Sequence, residues 1–478
     1  MSGSALSHVP RANGFANGRV SFWFRQTGRP GPRPALPGSA DYDVCIVGGG
    51  YTGLWTAYYL KKARPGLRIA VLEKEFAGFG ASGRNGGWLS AELAGSRRRF
   101  AATHGRGAVL ALQEEMRASI GEVAAVVDKE GLDTEVVRGG IFSVAVGDAQ
   151  RDRLHAKVAG LREWGFTEQD LRLLSPEERA GRIAVRNASA ATWSPHGARI
   201  HPARLALELA RAVESLGVDL FEGTAVTELR PRTGGAPACA RTDRGTVRAE
   251  YVIRATEGFT ASLRGARRML LPMNSSMIVT EPLPAAVWEE IGWQERELFS
   301  DNAHTYVYGQ RTADDRIAIG GRGVPYLFGS RWDPDGGTHP KTVLALWRVL
   351  TRYFPAARHA GVVHTWSGIL GVPRDWCSSA GVDHRTGLGW AGGYVGHGVT
   401  ATNLAGRTLR DLVLRESTEL TRLPWVDHSA RNWEPEPLRW IGAQGVYALY
   451  READRRENAG LARTSALGRL GDLVSARE

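Results

Sequence analysis

The apolar positions of this chain change several times between the alternation of a strand and the spacing of a helix. The first apolar run, Tyr42 to Val47, ends on three consecutive glycines and restarts at once as an apolar helix pattern that continues to about Ala63. A second strand-like run, LRIAVLE, then ends at Glu73. A strand, a glycine turn, a helix and a second strand in this order predict a βαβ unit.

Two further patches of the same kind lie far along the chain. Pro202 suits a first helical position, the apolar stripe after it ends at Gly217, and VDLFEGTAVTELR then alternates like strands. The last patch, GLGWAGGYVGHGVTATNLAGRTLRDLVLRE, contains a strand, a glycine-rich turn and a helix to about Leu414. Three separated patches indicate a nucleotide-binding domain assembled from discontinuous pieces.

The segments between the patches have a different pattern. One begins with a long amphipathic helix, and the other mixes strand-like runs such as SSMIVTE with a helix that carries Leu344, Trp347 and Leu350. We therefore predict an α/β (α+β) protein with a discontinuous Rossmann-like domain and a second, substrate domain of mixed antiparallel sheet and helices. The predicted ranges are 41–100, 197–265 and 358–420 for the Rossmann-like domain and 101–196 and 266–357 for the substrate domain.

Both ends of the chain lie outside these two domains. Residues 1–40 are rich in glycine, proline and arginine, and we predict an extended arm that is held by its aromatic group, Ser21 to Phe24. Residues 421–478 are charged and predict a C-terminal helical tail. No apolar stretch approaches the ~18 residues that span a bilayer, and the N-terminus has neither a signal-peptide nor a twin-arginine pattern. A cytoplasmic location is therefore expected.

The composition narrows the possible functions. Basic residues number 61 against 50 acidic ones, which gives a net charge of +11, and only six of the basic residues are lysines. Nucleic-acid-binding proteins cluster such charge with aromatic residues, whereas here it is spread, apart from Arg97–Arg99 and Arg455–Arg456. This favours a solvated surface and leaves open a basic cleft for an anionic small molecule. Because Cys45, Cys239 and Cys377 lack metal-ligand spacing, no metal site is expected.

The glycines after the first strand have the spacing Gly48-x-Gly50-x-x-Gly53. Gly48 permits a tight turn, Gly50 lets a pyrophosphate approach the backbone, and Gly53 packs the helix on the strand. The amides at the helix N-terminus favour the phosphate charge. Glu73, 20 residues past Gly53, suits an acidic residue that binds a ribose hydroxyl and disfavours the 2′-phosphate of NADP. The alternative is a glycine-rich turn that binds no ligand.

A second glycine-rich segment, GFGASGRNGGWLS, occupies residues 78–90. A single NAD-binding fold does not need it, whereas FAD has a ribityl chain and a flavin ring still to be held. With this segment the chain resembles the D-amino-acid oxidase-like flavoprotein superfamily, in particular the branch of glycine, sarcosine and γ-glutamylputrescine oxidases. The resemblance extends from about Ser21 to Gly442, and it depends on IVGGGYTGLWTAYYL, EKEFAGFGASGRNGG, HPARLALELA, VIRATEGFT, RIAIGGRG, WAGGYVGHG and WEPEPLRW.

The resemblance implies FAD as the cofactor. Val226 would touch the adenine through its backbone, and the turn that precedes the last helix would direct amides at the negative charge of the reduced flavin. For two residues an alternative to the implied role stays open. Arg84 could be a surface arginine that does not contact FAD, and His397 could cap its turn rather than act as a catalytic group. The implied cofactor-binding residues are Gly48, Gly50, Tyr51, Thr52, Gly53, Glu73, Lys74, Ala81, Ser82, Arg84, Asn85, Gly86, Gly87, Val226, Thr256, Gly393, Gly396, His397 and Gly398.

Three positions depart from the family pattern. Members that oxidise α-amino acids often have an arginine after the tryptophan-glycine strand, where this chain has Leu370, and sarcosine oxidases have a lysine where this chain has Thr400. The covalent cysteine of sarcosine oxidases would fall near Ser367. We therefore expect non-covalent FAD, with Cys377 as a buried or loop thiol, and no carboxylate anchor beside the flavin.

The strand in HTYVYGQRTADDRIAIGG would cover the substrate side of the flavin. Alternate residues of a strand share a face, so His304, Tyr306 and Tyr308 are expected on one surface, flanked by Arg311 and Arg322. The alternative is a half-buried strand with its arginines in solvent.

By this resemblance the protein is an FAD-dependent amine oxidase. A hydride would pass from the α-carbon of a neutral amine to flavin N5, the imine would hydrolyse, and dioxygen would be reduced to hydrogen peroxide. The missing anchors predict an aminoalkyl substrate with a distal carboxylate or phosphonate. Two alternatives stay open: a flavin-dependent amino-acid dehydrogenase that uses a quinone or carrier, and a non-redox flavin-binding or nucleic-acid-binding protein. The oligomeric state is not indicated.

Overall fold

Two large β-sheets and the helices around them form the structure, a computed structural model that describes residues 9–475. The expectations for residues 1–8 of the arm and 476–478 of the tail lie outside the described residues. The strands in chain order are β1 (Arg11–Asn17), β2 (Ala40–Val47), β3 (Ile69–Leu72), β4 (Trp88–Ser90), β5 (Ile141–Val146), β6 (Arg172–Leu173), β7 (Ala188–Ser194), β8 (Gly197–Arg199), β9 (Asp219–Phe221), β10 (Val226–Arg230), β11 (Ala238–Thr242), β12 (Thr246–Arg254), β13 (Leu271–Thr280), β14 (Leu298–Asp301), β15 (Val307–Arg311), β16 (Ile317–Gly321), β17 (Val362–Val372), β18 (Ser379–Asp383) and β19 (Leu388–Gly392).

The helices surround these strands and join them. In chain order they are α1 (Phe22–Thr27), α2 (Tyr51–Ala63), α3 (Arg97–Glu130), α4 (Asp148–Glu163), α5 (Pro176–Arg182), α6 (Pro202–Ser215), α7 (Ala285–Ile291), α8 (Pro340–Tyr353), α9 (Gly398–Leu414), α10 (Leu438–Asn458) and α11 (Ala466–Ser475).

The first sheet has the strand order β10–β11–β12–β2–β3–β9. β12 pairs with β11 along its first half and with β19 along its second half, and β18 pairs with β19. β2 lies parallel to both β12 and β3, and β3 lies parallel to β9. The side chains of β3 are all buried, as expected for a central strand with helices on both faces. In such a sheet, ligands bind beyond the carboxyl ends of the parallel strands.

The second sheet has nine strands in the order β1–β17–β13–β16–β15–β14–β5–β7–β6. Its pairs are antiparallel except for β1 with β17 and β14 with β5. The short strands β4 and β8 form a separate antiparallel pair. The mixed pairing agrees with the predicted fold class, and the helix ends predicted at Ala63 and Leu414 are observed.

Three predicted boundaries need correction. The arm is not extended throughout, because Ser21 caps α1 by accepting the Phe24 N–H at 3.3 Å, and the aromatic residues of this helix are buried. The Rossmann-like segment does not begin at residue 358, because β17 pairs along its length with β13 in the second sheet. The boundary at residue 100 falls inside α3, which begins at Arg97. In each case pairing or capping continues across a point where the sequence pattern changes.

Candidate functional site

A large cavity of about 1040 Å³ is lined by residues of both sheets. This volume is at the upper end of the roughly 300–1,000 Å³ typical of ligand pockets. Of the predicted cofactor-binding residues, those that line it are Gly48, Gly50, Tyr51, Thr52, Glu73, Lys74, Ala81, Ser82, Arg84, Asn85, Gly86, Val226, Thr256, Gly396, His397 and Gly398. Residues far apart in the chain therefore meet in one continuous space.

The turn between β2 and α2 brings the backbone close to this space. Gly48 has a φ of +113°, and a Cβ on it would lie 2.6 Å from the Ala255 carbonyl oxygen. A Cβ on Gly53 would lie 2.0 Å from the Gly48 carbonyl oxygen, which supports its role in packing the helix on the strand. A Cβ on Gly50 would lie 2.9 Å from Ser82 Oγ, which accepts the Tyr51 N–H at 2.9 Å. The missing side chain at Gly50 is what keeps the N-terminus of α2 accessible.

Glu73 lies at the carboxyl end of β3, beside this turn. Its Oε2 accepts the Gly49 N–H at 2.7 Å and its Oε1 accepts the Glu75 N–H at 2.9 Å. Burial raises the pKa of Glu73 to about 7, against the effect of these two hydrogen bonds. A carboxylate with remaining lone pairs at this point fits a ribose hydroxyl.

The 81–87 loop, Ala81 to Gly87, is fixed by its own asparagine. The Asn85 side chain accepts the Gly87 N–H at 2.7 Å and donates to the carbonyl oxygens of Ala81 and Ser82. A Cβ on Gly86 would lie 2.8 Å from the Tyr308 ring. A narrow glycine backbone between two walls of the cavity fits an extended ribityl chain, so the residues present fit FAD.

Arg84 is buried, so its alternative as a surface arginine is wrong. Its guanidinium donates to the carbonyl oxygens of Phe79, Ser367 and Pro334 and lies 4.4 Å from the centroid of the Phe79 ring. Burial lowers the pKa of Arg84 to about 10, which leaves it cationic at neutral pH. The side chain ties the 81–87 loop to β17, and its contact with FAD stays a prediction.

The 393–398 turn, Gly393 to Gly398, precedes α9 and is held by a carboxylate that the sequence analysis did not identify. Glu257 accepts the N–H groups of Gly393 at 3.3 Å and of Tyr394 at 3.1 Å. Its φ of +43° is unusual for a residue other than glycine. Burial raises the pKa of Glu257 to about 7, although these amides and Arg254 act to lower it. Glu257 lies in the segment VIRATEGFT, in which no local pattern links it to the 393–398 turn.

His397 forms part of a charged group in the cavity wall. Its Nδ1 lies 3.3 Å from Glu92 Oε2, and Lys157 Nζ lies 3.3 Å from Glu92 Oε1. Burial acts to raise the pKa of Glu92, but Lys157 and His397 lower it to about 2. Glu92 and Lys157 are not among the residues predicted from the sequence, because nothing in the local pattern links them to residue 397.

The second sheet supplies the opposite wall. His304, Tyr306, Tyr308 and Arg322 all line the cavity, as the expected common surface requires. The Tyr308 hydroxyl is 2.7 Å from Ser275 Oγ, and burial raises the pKa of Tyr308, whereas the charge of Arg322 lowers it. His304 and Tyr306 precede β15 rather than belonging to it.

The C-terminal tail closes this part of the cavity, which the sequence did not indicate. The ring of His304 stacks on Tyr450 of α10 with centroids 5.8 Å apart, and its Nε2 lies 3.0 Å from Glu457. A Cβ on Gly468 of α11 would lie 2.1 Å from the His304 ring. Tyr447 and Asp472 of the tail line the cavity directly.

Arg311 does not face the cavity, so its assignment to the substrate side is wrong. It is buried, pairs with Asp315 at 2.8 Å, donates to the Trp293 carbonyl oxygen and lies over the Trp288 ring. Side chains alternate along a strand, and position 311 has the opposite parity to Tyr308.

Two more glycines lie behind the cavity lining. A Cβ on Gly87 would lie 2.0 Å from Gln310 Nε2, and one on Gly393 would lie 2.6 Å from the Pro373 ring. Close packing explains why these two positions are glycines, and their contact with the cofactor stays a prediction. Leu370 lines the cavity, whereas Thr400 is buried in α9.

Cys377 is buried, which agrees with the predicted buried or loop thiol. Its sulfur lies within 4.8 Å of ligand atoms of Asp375 and His428, a grouping that linear spacing does not reveal. His428 Nε2 is 2.7 Å from Asp375 Oδ2, and Arg99 donates to the Asp375 carbonyl oxygen. The adjacent guanidinium favours an ion pair over a cation site.

None of the helices in residues 9–475 has the length and apolar character to cross a membrane.

Comparison with known proteins agrees with this geometry. The chain is 30% identical over 400 residues to γ-glutamylputrescine oxidoreductase of Escherichia coli K12, which covers 82% of this chain and 88% of that protein. It is 29% identical over 394 residues to glycine oxidase of Geobacillus kaustophilus, 80% of this chain and 96% of that protein. The crystal structure of glycine oxidase from G. kaustophilus superposes with a TM-score of 0.67 and 24% identity over 81% of this chain and 99% of that one, which supports the fold.

The family model DAO, FAD dependent oxidoreductase, matches residues 43–412. This range contains the turn after β2, the 81–87 loop and the 393–398 turn, all of which contribute residues to the cavity lining. The chain belongs to the DAO family of FAD-dependent oxidoreductases.

Proposed function

We propose that the protein is an FAD-dependent amine oxidase whose substrate carries an anionic group away from the reacting carbon. One observation carries the proposal. The same cavity is lined by Gly50 and Glu73 and also by Tyr306, Tyr308 and Arg322. A dinucleotide that occupies the first part would therefore place its reactive ring next to space that a small substrate can fill.

The residues that would hold FAD follow from their donors and acceptors. The N-terminus of α2 suits the pyrophosphate, Glu73 the ribose, and the 81–87 loop the ribityl chain. The 393–398 turn and the N-terminus of α9 suit the flavin pyrimidine, where reduction leaves negative charge. Bound FAD would accept a hydride from the carbon that bears the nitrogen and pass the electrons to dioxygen, which gives hydrogen peroxide.

The chain would bind and orient the amine. A neutral amine needs no strong base, because its lone pair assists loss of the hydride and leaves an iminium ion, which water converts to a carbonyl compound and ammonia or an amine with release of one proton. Tyr306 and Tyr308 provide an apolar wall with a hydroxyl edge for such a substrate. Neither tyrosine is required to remove a proton in this scheme.

The charges around the cavity support the substrate class. A carboxylate on the reacting carbon would meet Leu370 rather than a cation, and an unpaired buried ion is costly. The predicted fork of two arginines is reduced to Arg322, since Arg311 lies elsewhere, but Arg97 also lines the cavity. Burial lowers the pKa of Arg97 to about 10, so it stays cationic at neutral pH. γ-Glutamylputrescine, after which one relative is named, likewise carries its carboxylate far from a primary amine.

An anaerobic substrate screen tests the proposal. Purified yellow protein is mixed without oxygen with ω-amino carboxylates, aminoalkylphosphonates, the matching alkylamines, glycine, sarcosine and D-alanine, and flavin absorbance is followed. We expect the fastest bleaching with a distal anion. Best turnover of glycine, sarcosine or a D-amino acid would overturn the substrate class, and no bleaching with any amine would overturn the reaction.

Two further measurements test the acceptor and the cofactor linkage. Oxygen uptake with the best substrate should match peroxide formation, whereas bleaching without oxygen uptake indicates a dehydrogenase that uses another acceptor. Heat denaturation should release FAD into the supernatant. Flavin that stays with the precipitated protein would contradict non-covalent binding.

A further inference from the structure

The backbone of the 81–87 loop is held by four side chains from three other parts of the chain. Four consecutive carbonyl oxygens each accept a hydrogen bond from a side chain outside the loop. The pairs are Ser21 Oγ to Gly83 at 2.6 Å, Trp366 Nε1 to Arg84 at 2.8 Å, Trp23 Nε1 to Asn85 at 2.8 Å and Gln310 Nε2 to Gly86 at 2.7 Å. Each bond fixes the orientation of one peptide plane.

The bond from Trp23 determines the direction of one amide. The peptide between Asn85 and Gly86 is trans, so the carbonyl oxygen and the N–H of this plane point in opposite directions. Because the oxygen points at the indole of Trp23, the Gly86 N–H points away from it. Gly86 lines the cavity, and its N–H has no hydrogen-bond partner among residues 9–475. The geometry makes this N–H a donor for whatever occupies the cavity.

Trp23 is held rigidly enough to fix this plane. Only 2% of its surface is exposed, and its ring lies edge-on to Trp366 at 5.8 Å and to His201 at 5.2 Å. The neighbouring Phe24 packs directly under the loop, since a Cβ on Gly83 would lie 2.2 Å from its ring. This segment precedes residue 43, where the family match begins.

We propose that Trp23 is a positioning residue of the FAD site, whose indole N–H fixes the Asn85–Gly86 peptide so that the Gly86 N–H donates to bound FAD. The inference rests on FAD lying against the 81–87 loop, as the proposed function requires. A donor that is already oriented loses less freedom on binding. Without the indole bond the Asn85 carbonyl is free to rotate, and the donor is aimed correctly for only part of the time.

Replacement of the donor tests the role. Trp23→Phe keeps an aromatic ring and removes the N–H, and we expect FAD to bind about fivefold more weakly, the worth of one hydrogen bond. Trp293→Phe is the matched control, because Trp293 is fully buried and donates its Nε1–H to the Glu297 carbonyl oxygen at 2.7 Å, away from the cavity. FAD dissociation constants of the refilled apoproteins, with the absorbance spectrum of bound flavin, are the readouts.

A second variant covers the case in which Trp23→Phe does not fold. Gln310→Met keeps the length of the side chain and removes the donor to the Gly86 carbonyl oxygen, so it should also weaken FAD binding. FAD binding as tight as that of Trp293→Phe in folded Trp23→Phe would overturn the role of Trp23, and the same result in Gln310→Met would overturn the premise that the held peptide planes of the loop orient it for FAD. Gly50→Val distinguishes a failure of the cofactor-site assignment from a failure of the role of Trp23. If Gly50→Val loses FAD while Trp23→Phe binds FAD normally, the cofactor site stands and the role of Trp23 fails. If Gly50→Val keeps FAD, the site assignment itself fails.

Discussion

A valine at position 50 should leave the protein without FAD. Gly50 is the N-cap of α2, and a Cβ there would lie 2.9 Å from Ser82 Oγ. Contacts of this kind are closer than atoms tolerate, so Ser82 must move away from the turn. The same side chain would project into the space where a pyrophosphate approaches the helix N-terminus.

The size of the effect follows from the hydrogen bonds that are lost. Displacement of Ser82 breaks its 2.9 Å bond with the Tyr51 N–H, which disturbs the first turn of α2. Two charge-assisted bonds between helix amides and phosphate, at roughly 1.5–3 kcal/mol each, correspond to about two to four orders of magnitude in the dissociation constant. Gly50→Ala, which adds a single carbon, should fall between the wild type and Gly50→Val.

The assay is the flavin content of purified protein, followed by titration of apoprotein with FAD. Gly66→Val is the control, because Gly66 follows α2 in the same βαβ unit and, apart from its two chain neighbours, no residue has an atom within 4 Å of the position its Cβ would take. Gly66→Val should be as yellow as the wild type, and Gly50→Val should be folded and colourless. A Gly50→Val protein with wild-type flavin content would refute the assignment of this turn to the cofactor.

Three other residues give further predictions. Glu73→Ala should weaken FAD binding by roughly 1–3 kcal/mol, the worth of a hydrogen bond to a charged group. Burial raises the pKa of Glu73 to about 7, and only the ionised form accepts both ribose hydroxyls. The affinity of the wild type for FAD should therefore fall as pH drops from 8 to 6, and that of Glu73→Gln should not. Equal pH profiles of the two proteins would contradict this role of Glu73. Arg322→Ala should raise KM for an amine with a distal anion about tenfold more than for its neutral analogue, since the lost contact is remote from the chemistry; equal increases would exclude the role. Burial raises the pKa of Glu257 to about 7, so its contribution to stability is present below its ordinary pKa and is lost as pH rises through 7. The melting temperature of Glu257→Gln should therefore rise relative to the wild type between pH 5 and pH 8, and a constant difference would show that Glu257 is not the titrating group.

The sequence alone predicted those features of the fold that local chemistry determines. The glycines after β2 require a tight turn, so the end of the strand and the start of α2 follow from their spacing. The end of α9 at Leu414 follows from the apolar period in the same way. The alternation of Tyr306 and Tyr308 also predicted a common wall, and the same rule, applied one step further, would have placed Arg311 on the other face.

The site residues that were not predicted from the sequence owe their position to contacts between distant segments of the chain. Glu257 binds the amide of Gly393, 136 residues along the chain. Glu92 meets His397 across an even longer separation, and no period or spacing in either segment indicates the other. Such pairs form only when the fold brings distant loops to the same cavity. They can therefore be identified from the structure but not from the sequence.

Part of the cavity lies outside the range of the family match. Residues 43–412 contain the turns that fit FAD and also Tyr306, Tyr308 and Arg322. Tyr447 and Asp472, which also line the cavity, come from α10 and α11 beyond residue 412. If the distal group of the proposed substrate reaches these two side chains, its recognition depends on residues outside the family match. The substrate named for a relative therefore does not by itself identify the substrate of this protein, and a screen that varies the distal group at constant amine is the experiment that discriminates.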